Sequence, residues 1–233
     1  TNQEIADHFQ NLHFKNPIKP NSSKEGYILV NLDEGFKAVD VDLLSQNSVE
    51  NFTFIFEDPD FKGDFRLIDF KNLYAEKEII TIENEEELRQ ALESLPCCTT
   101  NSSGKKNGDP INIIFVGSFQ DVGAALVRRN WHATEIIWSK AIWRTIRSFL
   151  TNERYRYSPV SPLFVYGRQQ DMAWQKARGN INRRNHIRMW LSPFRYNGKP
   201  IFIGQVSRDI GVKFTFKSST ISTHIIDPDV DEA

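Results

Sequence analysis

NHIRMWLSPFRYNGKPIFIGQVSRDIG, residues 185–211, sets two runs of alternating residues on either side of Asn197-Gly198. A type I′ turn needs positive φ at both central positions, and Asn-Gly meets that need at little steric cost. The stretch therefore predicts a long antiparallel β-hairpin. With those two residues as the loop, Tyr196 pairs with Lys199, Trp190 with Gln205, Arg188 with Ser207 and His186 with Asp209. Side chains alternate across a strand. His186, Arg188, Trp190, Gln205, Ser207 and Asp209 then share one face. Ile187, Met189, Leu191, Gly204 and Val206 share the other, the core side, with Arg208 at its end.

The first face admits two readings. A His opposite an Asp is the orienting pair of many acid–base sites, because the carboxylate fixes the tautomer and supports the imidazolium. Arg188 beside them can hold a phosphate or carboxylate in a bidentate fork. The same alternation also describes one wet, polar face of an antiparallel sheet, and a single bulge would break the register.

Upstream, GRQQDMAWQKAR (167–178) is expected to carry a short helix over 171–178. Helical spacing would stack Asp171, Gln175 and Arg178 on one side and turn Trp174, Ala177 and Ile181 inward. Arg183 and Arg184 follow. With Arg168, Gln170, Lys176, Asn185, Ser207 and Arg208, these residues make a basic, amide-rich surface suited to an anionic ligand. Aromatic residues interleave with basic ones, but no nucleic-acid motif is present, so nucleic acid is not the expected partner.

Charge is divided along the chain. The net charge is −1, yet residues 1–100 hold 9 Lys/Arg against 20 Asp/Glu, whereas residues 151–220 hold 13 against 3. Such a split suits either an anionic partner for the basic stretch or two halves that attract each other. The composition, 39% hydrophobic and 25% charged, is that of a soluble globular protein. No apolar run approaches the roughly 18–20 residues of a membrane span, and no signal peptide opens the chain. Beginning at Thr1, it reads as a piece of a longer protein.

The fold class expected is α+β. DHFQNLHF near the start has mixed helical spacing and stops before Pro17. GYILVNLD (26–33), FKAVDVDLL (36–44), ENFTFIFED (50–58) and FRLIDF (65–70) read as strands of an antiparallel, sandwich-like part, with Asp33-Glu34-Gly35 as a hairpin turn. Leu88, Ala91, Leu92 and Leu95 mark a helix ended by Pro96. The polar stretch 99–110 is the expected linker between a β-rich acidic part (1–98) and a basic α+β domain (111–233). In the latter, INIIFVG (111–117) is a strand, Ser118 and Asp121 start a helix with a capping box, SKAIWRTIRSFL (139–150) is an amphipathic helix and LFVY (163–166) a strand.

Cys97 and Cys98 are adjacent, a spacing that rarely meets disulfide geometry, and two cysteines fall short of a zinc set. They read as two small, partly buried residues. At the end, THIIDPDVDEA (223–233) has Asp227 as an N-cap, Pro228 at the first helical position and Asp229, Asp231 and Glu232 in the first turn. An EF-hand loop would need Gly where Glu232 stands. The ending is therefore a helix start and not a metal site; no cofactor is expected. His224 just before it remains a site candidate.

SPVSPLFVYGRQQDMAWQKARGNINRRNHIRMW (158–190), GKPIFIGQVSRDIGVKF (198–214) and THIIDPDVDEA closely resemble the LssY C-terminal domain family of bacteria. LPCCTTN, GDPINIIFVG and ALVRRNWHATE extend the likeness upstream, as do NLDEGFKAVDVDLL and DHFQNLHFKNP. The resemblance implies a bacterial cell-envelope setting, periplasmic or membrane-associated through segments outside this chain. The family's namesake belongs to a type I secretion locus. The domain also occurs attached to membrane proteins of the DedA and lipid-phosphatase kinds. It supplies no catalytic residues.

Two functions are expected from this. One is a non-enzymatic envelope module that recognises an anionic, phosphate-bearing ligand or a partner protein. The other is a phosphoester hydrolase with His186 as acid–base, Asp209 as its orienter, Arg188 and Arg208 as clamp and His224 as a second acid–base. Two-histidine phosphoesterases carry a hydroxyl residue two positions after each His, where this chain has Arg188 and Ile226.

Overall fold

A computed structural model describes residues 2–14, 17–28, 30, 35–57, 61–136, 159–178, 180–214 and 222–227. For residues 2, 36, 57, 177, 178, 180–183, 209–214 and 222–227 the description is of the backbone alone. The chain divides into two compact units, residues 1–34 and 35–233. Helix α1 (Asn2–Leu12) begins the first, and an isolated parallel bridge joins His13 to Tyr27. The strand expected over 26–33 does not form among the described residues. Tyr27, Ile28 and Val30 are exposed, with no sheet to bury their alternating side chains. The turn at 33–35 falls mostly outside the described residues.

The second unit is α+β, built on antiparallel sheets. Strands β1 (Phe36–Leu44) and β2 (Val49–Glu57) form a two-stranded antiparallel ribbon where the sequence placed them. Next come β3 (Ile80–Ile82), α2 (Glu85–Glu93), β4 (Cys98–Thr100), β5 (Asn107–Pro110), β6 (Ile113–Val116) and α3 (Phe119–Arg128). Then follow β7 (His132–Ala133), β8 (Phe164–Val165), β9 (Arg168–Gln169), β10 (Met172–Arg178), β11 (Asn180–Tyr196), β12 (Lys199–Phe214) and β13 (Ser222–Asp227). The main sheet runs β13-β12-β11-β10-β7. β6 also pairs with β12, and β3 joins β11 in parallel. A second sheet runs β5-β4-β8-β9. Ser118 and Asp121 form the expected reciprocal cap of α3. The amphipathic stretch 139–150 and the ending 228–233 lie outside the described residues.

The Asn197-Gly198 loop is a turn with φ of 48° and 76°, and Tyr196 faces Lys199. Beyond it the register departs from expectation. Three residues, Ser192, Pro193 and Phe194, oppose Ile201 alone, so the ladder shifts by two positions between Arg195↔Pro200 and Leu191↔Phe202. Ser192 Oγ holds this bulge, donating to the Ile201 carbonyl at 2.8 Å and accepting the Phe194 N–H at 3.2 Å. Pro193 has no N–H to lose from the ladder. His186 therefore faces Ser207, not Asp209, and Arg188 faces Gln205. A shift of two leaves every side chain on its expected face.

Four further expectations are corrected. Residues 172–178 form strand β10, not a helix: Met172 and Trp174 bury into one face, Ala173 and Gln175 into the other. Burial on both faces of a central strand overrides the helix preference of Met, Ala, Gln and Lys. FRLIDF is not a strand, because Asp64–Leu67 coil into a 3₁₀ turn that lets Phe65 and Phe70 pack on Phe119. The stretch read as a linker carries the β4–β5 hairpin. Asn101 Oδ1 holds its loop by accepting the Lys105 and Lys106 N–H groups. Cys97 and Cys98 are joined in a disulfide, Cys97 lying just outside β4, where sheet dihedrals do not hold it.

One face of the main sheet is the larger core. Its register aligns Ala133, Trp174, Ile187 and Val206 across four strands, and Val122 and Leu126 of α3 cover them. Gly204 lies where β11 and β6 flank β12; a Cβ there would come within 2.7 Å of Ile113 Cγ2 and 3.2 Å of the Arg188 carbonyl. Gly204→Ala is expected to cost about 1–3 kcal/mol of stability in urea unfolding, the usual penalty of overpacking.

The Asp64 carboxyl is half-buried and accepts from Thr134 Oγ1 at 3.0 Å and the Phe65 N–H at 2.8 Å. Burial outweighs these bonds and pushes its pKa up to about 7 from 3.8. Folded Asp64 thus holds its proton more tightly than unfolded Asp64, so its contribution is full below pH 3.8 and lost as pH rises through 7. The unfolding free energy, followed across that interval, should carry a declining component that disappears in Asp64→Asn.

Candidate functional site

Directly opposed residues in antiparallel neighbours lie on one face. The ladder thus aligns His132, Gln175, His186 and Ser207 across β7, β10, β11 and β12. Beside that row stands Ala173–Arg188–Gln205, and on its other side Arg184 faces Ala177. Toward the turn the same face becomes apolar, with Trp190 and Ile203 packed beside Val165 and Leu163.

The polar part of this face is not wet. Gln175, Arg184, His186, Arg188, Gln205 and Ser207 are all at most 6% exposed, and only His132 is half-buried. Arg184 Nη1 donates to Gln175 Oε1 and Arg188 Nη1 to Gln205 Oε1, both at 2.8 Å. Arg188 Nε donates to the Ser161 carbonyl at 3.1 Å. Within the cluster each guanidinium thus meets a neutral oxygen. Gln205 Nε2 and Ser207 Oγ are buried with no hydrogen-bond partner among the described residues. Leaving a buried polar atom unsatisfied costs about 1–3 kcal/mol, so such atoms in a native sheet call for an explanation.

A second polar group is saturated. Arg168 grips Asp171 with Nε at 2.9 Å and Nη2 at 3.0 Å, and reaches the Leu191 carbonyl at 2.8 Å and Tyr74 Oη at 3.1 Å. Its guanidinium also sits 5.4 Å from the ring centres of both Tyr74 and Tyr166. Asp171 Oδ2 accepts the Leu191 N–H at 2.6 Å. Gln170 exchanges bonds with the Leu163 backbone. These residues clamp the β8–β9 turn to β11 just before its bulge.

The expected single surface therefore separates. Gln175, His186, Arg188 and Ser207 come together, joined by Arg184 and Gln205 and bordered by His132. Arg168, Gln170 and Asp171 are spent on the clamp. Lys176, Asn185 and Arg208 form a row on the opposite face. The helical stacking of Asp171, Gln175 and Arg178 is absent because β10 is a strand. Asp209 and His224 are described by backbone only, opposite Ile226 and Val212. His132 was missed because a two-residue strand after α3 has no periodicity to read. Among the described residues, no group of three His, Cys, Asp or Glu stands placed to hold a metal ion.

The sequence model of the family described as LssY C-terminus matches residues 80–233. That span opens at β3 and contains the whole polar cluster. No curated protein and no solved structure matches the chain.

The two polar groups should respond oppositely to truncation. Asp171→Asn strips the Arg168 guanidinium of its buried counter-charge and is expected to cost about 3 kcal/mol or more. Ser207→Ala removes an unsatisfied hydroxyl and should leave stability within about 0.5 kcal/mol or raise it. Chemical denaturation of the two variants beside the parent chain checks both.

Proposed function

The chain belongs to the LssY C-terminal family, and for its buried polar cluster we propose recognition of an anionic, phosphate-bearing group by a non-catalytic module of the bacterial envelope. The observation that carries this is the pair of buried atoms Gln205 Nε2 and Ser207 Oγ, both without partners and both one strand away from Arg188 and His186. An amide NH₂ only donates, and a hydroxyl donates as well as accepts. A ligand that completes Gln205 Nε2 and Ser207 Oγ must offer acceptors, and the basic residues beside them favour an anionic one such as phosphate, free or carried on a larger molecule. The basic balance of residues 151–220 favours the approach of such a group.

The hydrolase reading rested on Asp209 facing His186. The ladder sets Ser207 there instead, which removes the cross-strand orienter that reading named. The envelope setting follows the family resemblance. No helix among the described residues is long and apolar enough to cross a membrane.

Side-chain NMR of a labelled sample titrated with inorganic phosphate tests the proposal. The Gln205 amide and His186 ring signals should shift together and saturate. Ser207→Ala and Arg188→Lys should each weaken binding about tenfold or more, the loss of one charge-assisted or bidentate contact. Signals indifferent to phosphate would refute the reading. Turnover of a phosphoester that disappears in His186→Ala would replace the module with a hydrolase.

A further inference from the structure

The core face of the main sheet ends in charge. Rows Met172–Met189–Gly204 and Trp174–Ile187–Val206 are followed, on the same face, by Lys176–Asn185–Arg208. Asn185 is 1% exposed, and Lys176 and Arg208 are half-buried. Asn185 Oδ1, Arg208 Nε and Arg208 Nη2 are themselves buried, with no hydrogen-bond partner among the described residues. Among those residues no ion pair or hydrogen bond engages Lys176 either. A guanidinium edge taken out of water without a counter-charge opposes folding more than a lone hydroxyl or amide does, so this row calls for a partner.

We propose that Lys176, Asn185 and Arg208 bind a phosphate group of their own, on the opposite face of the sheet from the His186 cluster. Nε and Nη2 lie on one edge of the guanidinium. Their N–H bonds run parallel and meet two oxygens of a single anion. The other two residues select phosphate over carboxylate. Lys176 and Arg208 together carry two positive charges, which suit the charge of about −1.5 to −2 on a phosphomonoester better than the single charge of a carboxylate. A carboxylate also has only the two oxygens that the fork takes. Phosphate keeps a third for the Lys176 ammonium and, while singly protonated, an O–H for Asn185 Oδ1. Opposed residues of neighbouring strands have Cβ atoms about 5 Å apart, so an ion seated over Asn185 is within reach of both longer side chains. Asn185 and His186 are consecutive, as are Ser207 and Arg208, and consecutive residues of a strand point to opposite faces. The two groups share no side chain, and neither proposal needs the other.

The arginine Nε–H signals of a labelled chain, titrated with inorganic phosphate, read this site. The Arg208 Nε–H and the Asn185 side-chain amide should shift together and saturate. Arg208→Lys keeps the charge and loses the fork. Followed at the Asn185 amide, it should weaken binding about tenfold or more. Lys176→Met should also weaken it, and both variants should leave the phosphate response of His186 and Gln205 unchanged. Glycerol phosphate that shifts Arg208 equally supports a phosphate carried on a larger molecule, whereas a response to inorganic phosphate alone supports the free ion. An Arg208 signal indifferent to phosphate overturns the site, and an equal response to acetate at matched ionic strength overturns the choice of anion. Asp227 stands opposite Arg208 in the β12–β13 ladder. An Arg208 signal that moves in Asp227→Asn and not with phosphate would overturn the proposal in favour of a pair closed within the sheet.

Discussion

Ser192 Oγ ties the Ile201 carbonyl to the Phe194 N–H at the bulge that sets the pairing of the long hairpin. It fixes three residues of β11 against one of β12. The two extra residues lie where β3 joins the long hairpin, and they reset every pairing beyond. An offset of one would have turned the apolar set of β11 toward the wrong side. An offset of two exchanges partners and keeps faces. Trp174, Ile187 and Val206 stay in the core while His186 gains Ser207 as its neighbour.

The two faces of the sheet then carry unlike loads. Beneath α3, rows of Trp, Ile, Met and Phe bury against one another and stabilise the unit by apolar area alone. On the opposite face, a comparable burial encloses two guanidinium groups, an imidazole, two amides and a hydroxyl. Two of its atoms, Gln205 Nε2 and Ser207 Oγ, have no hydrogen-bond partner among the described residues, which folding alone does not reward. The Arg168–Asp171 clamp shows what a structural polar network looks like in this chain: a bidentate ion pair, its remaining donors directed at a carbonyl and a phenol. The cluster at Gln205 and Ser207 is built differently, with donors held ready by their neighbours in the ladder. That contrast is the physical ground for assigning the two groups different roles.

Much of this was legible in the residues. Asn197-Gly198 announced the turn, alternation assigned the faces of the hairpin, and β1, β2, α2 and the capped start of α3 followed from local pattern. The partnering of His186 was not legible, because the bulge rests on a side-chain contact between residues nine positions apart that no periodicity displays. β10 was misread for a related reason: Met, Ala, Gln and Lys prefer helix until a strand on each side claims them. His132 enters the row only through β10. Cys97 and Cys98 were set aside on spacing, and their disulfide is a local closure that spacing rules disfavour.

Interstrand nuclear Overhauser contacts in an isotope-labelled sample measure the register directly. Contacts joining His186 to Ser207 and Arg188 to Gln205 are predicted, together with contacts from Ser192 to Ile201. Contacts joining His186 to Asp209 and Arg188 to Ser207 would contradict the bulge. They would dissolve the Arg188–Gln205 pairing and return the polar face to a His–Asp arrangement.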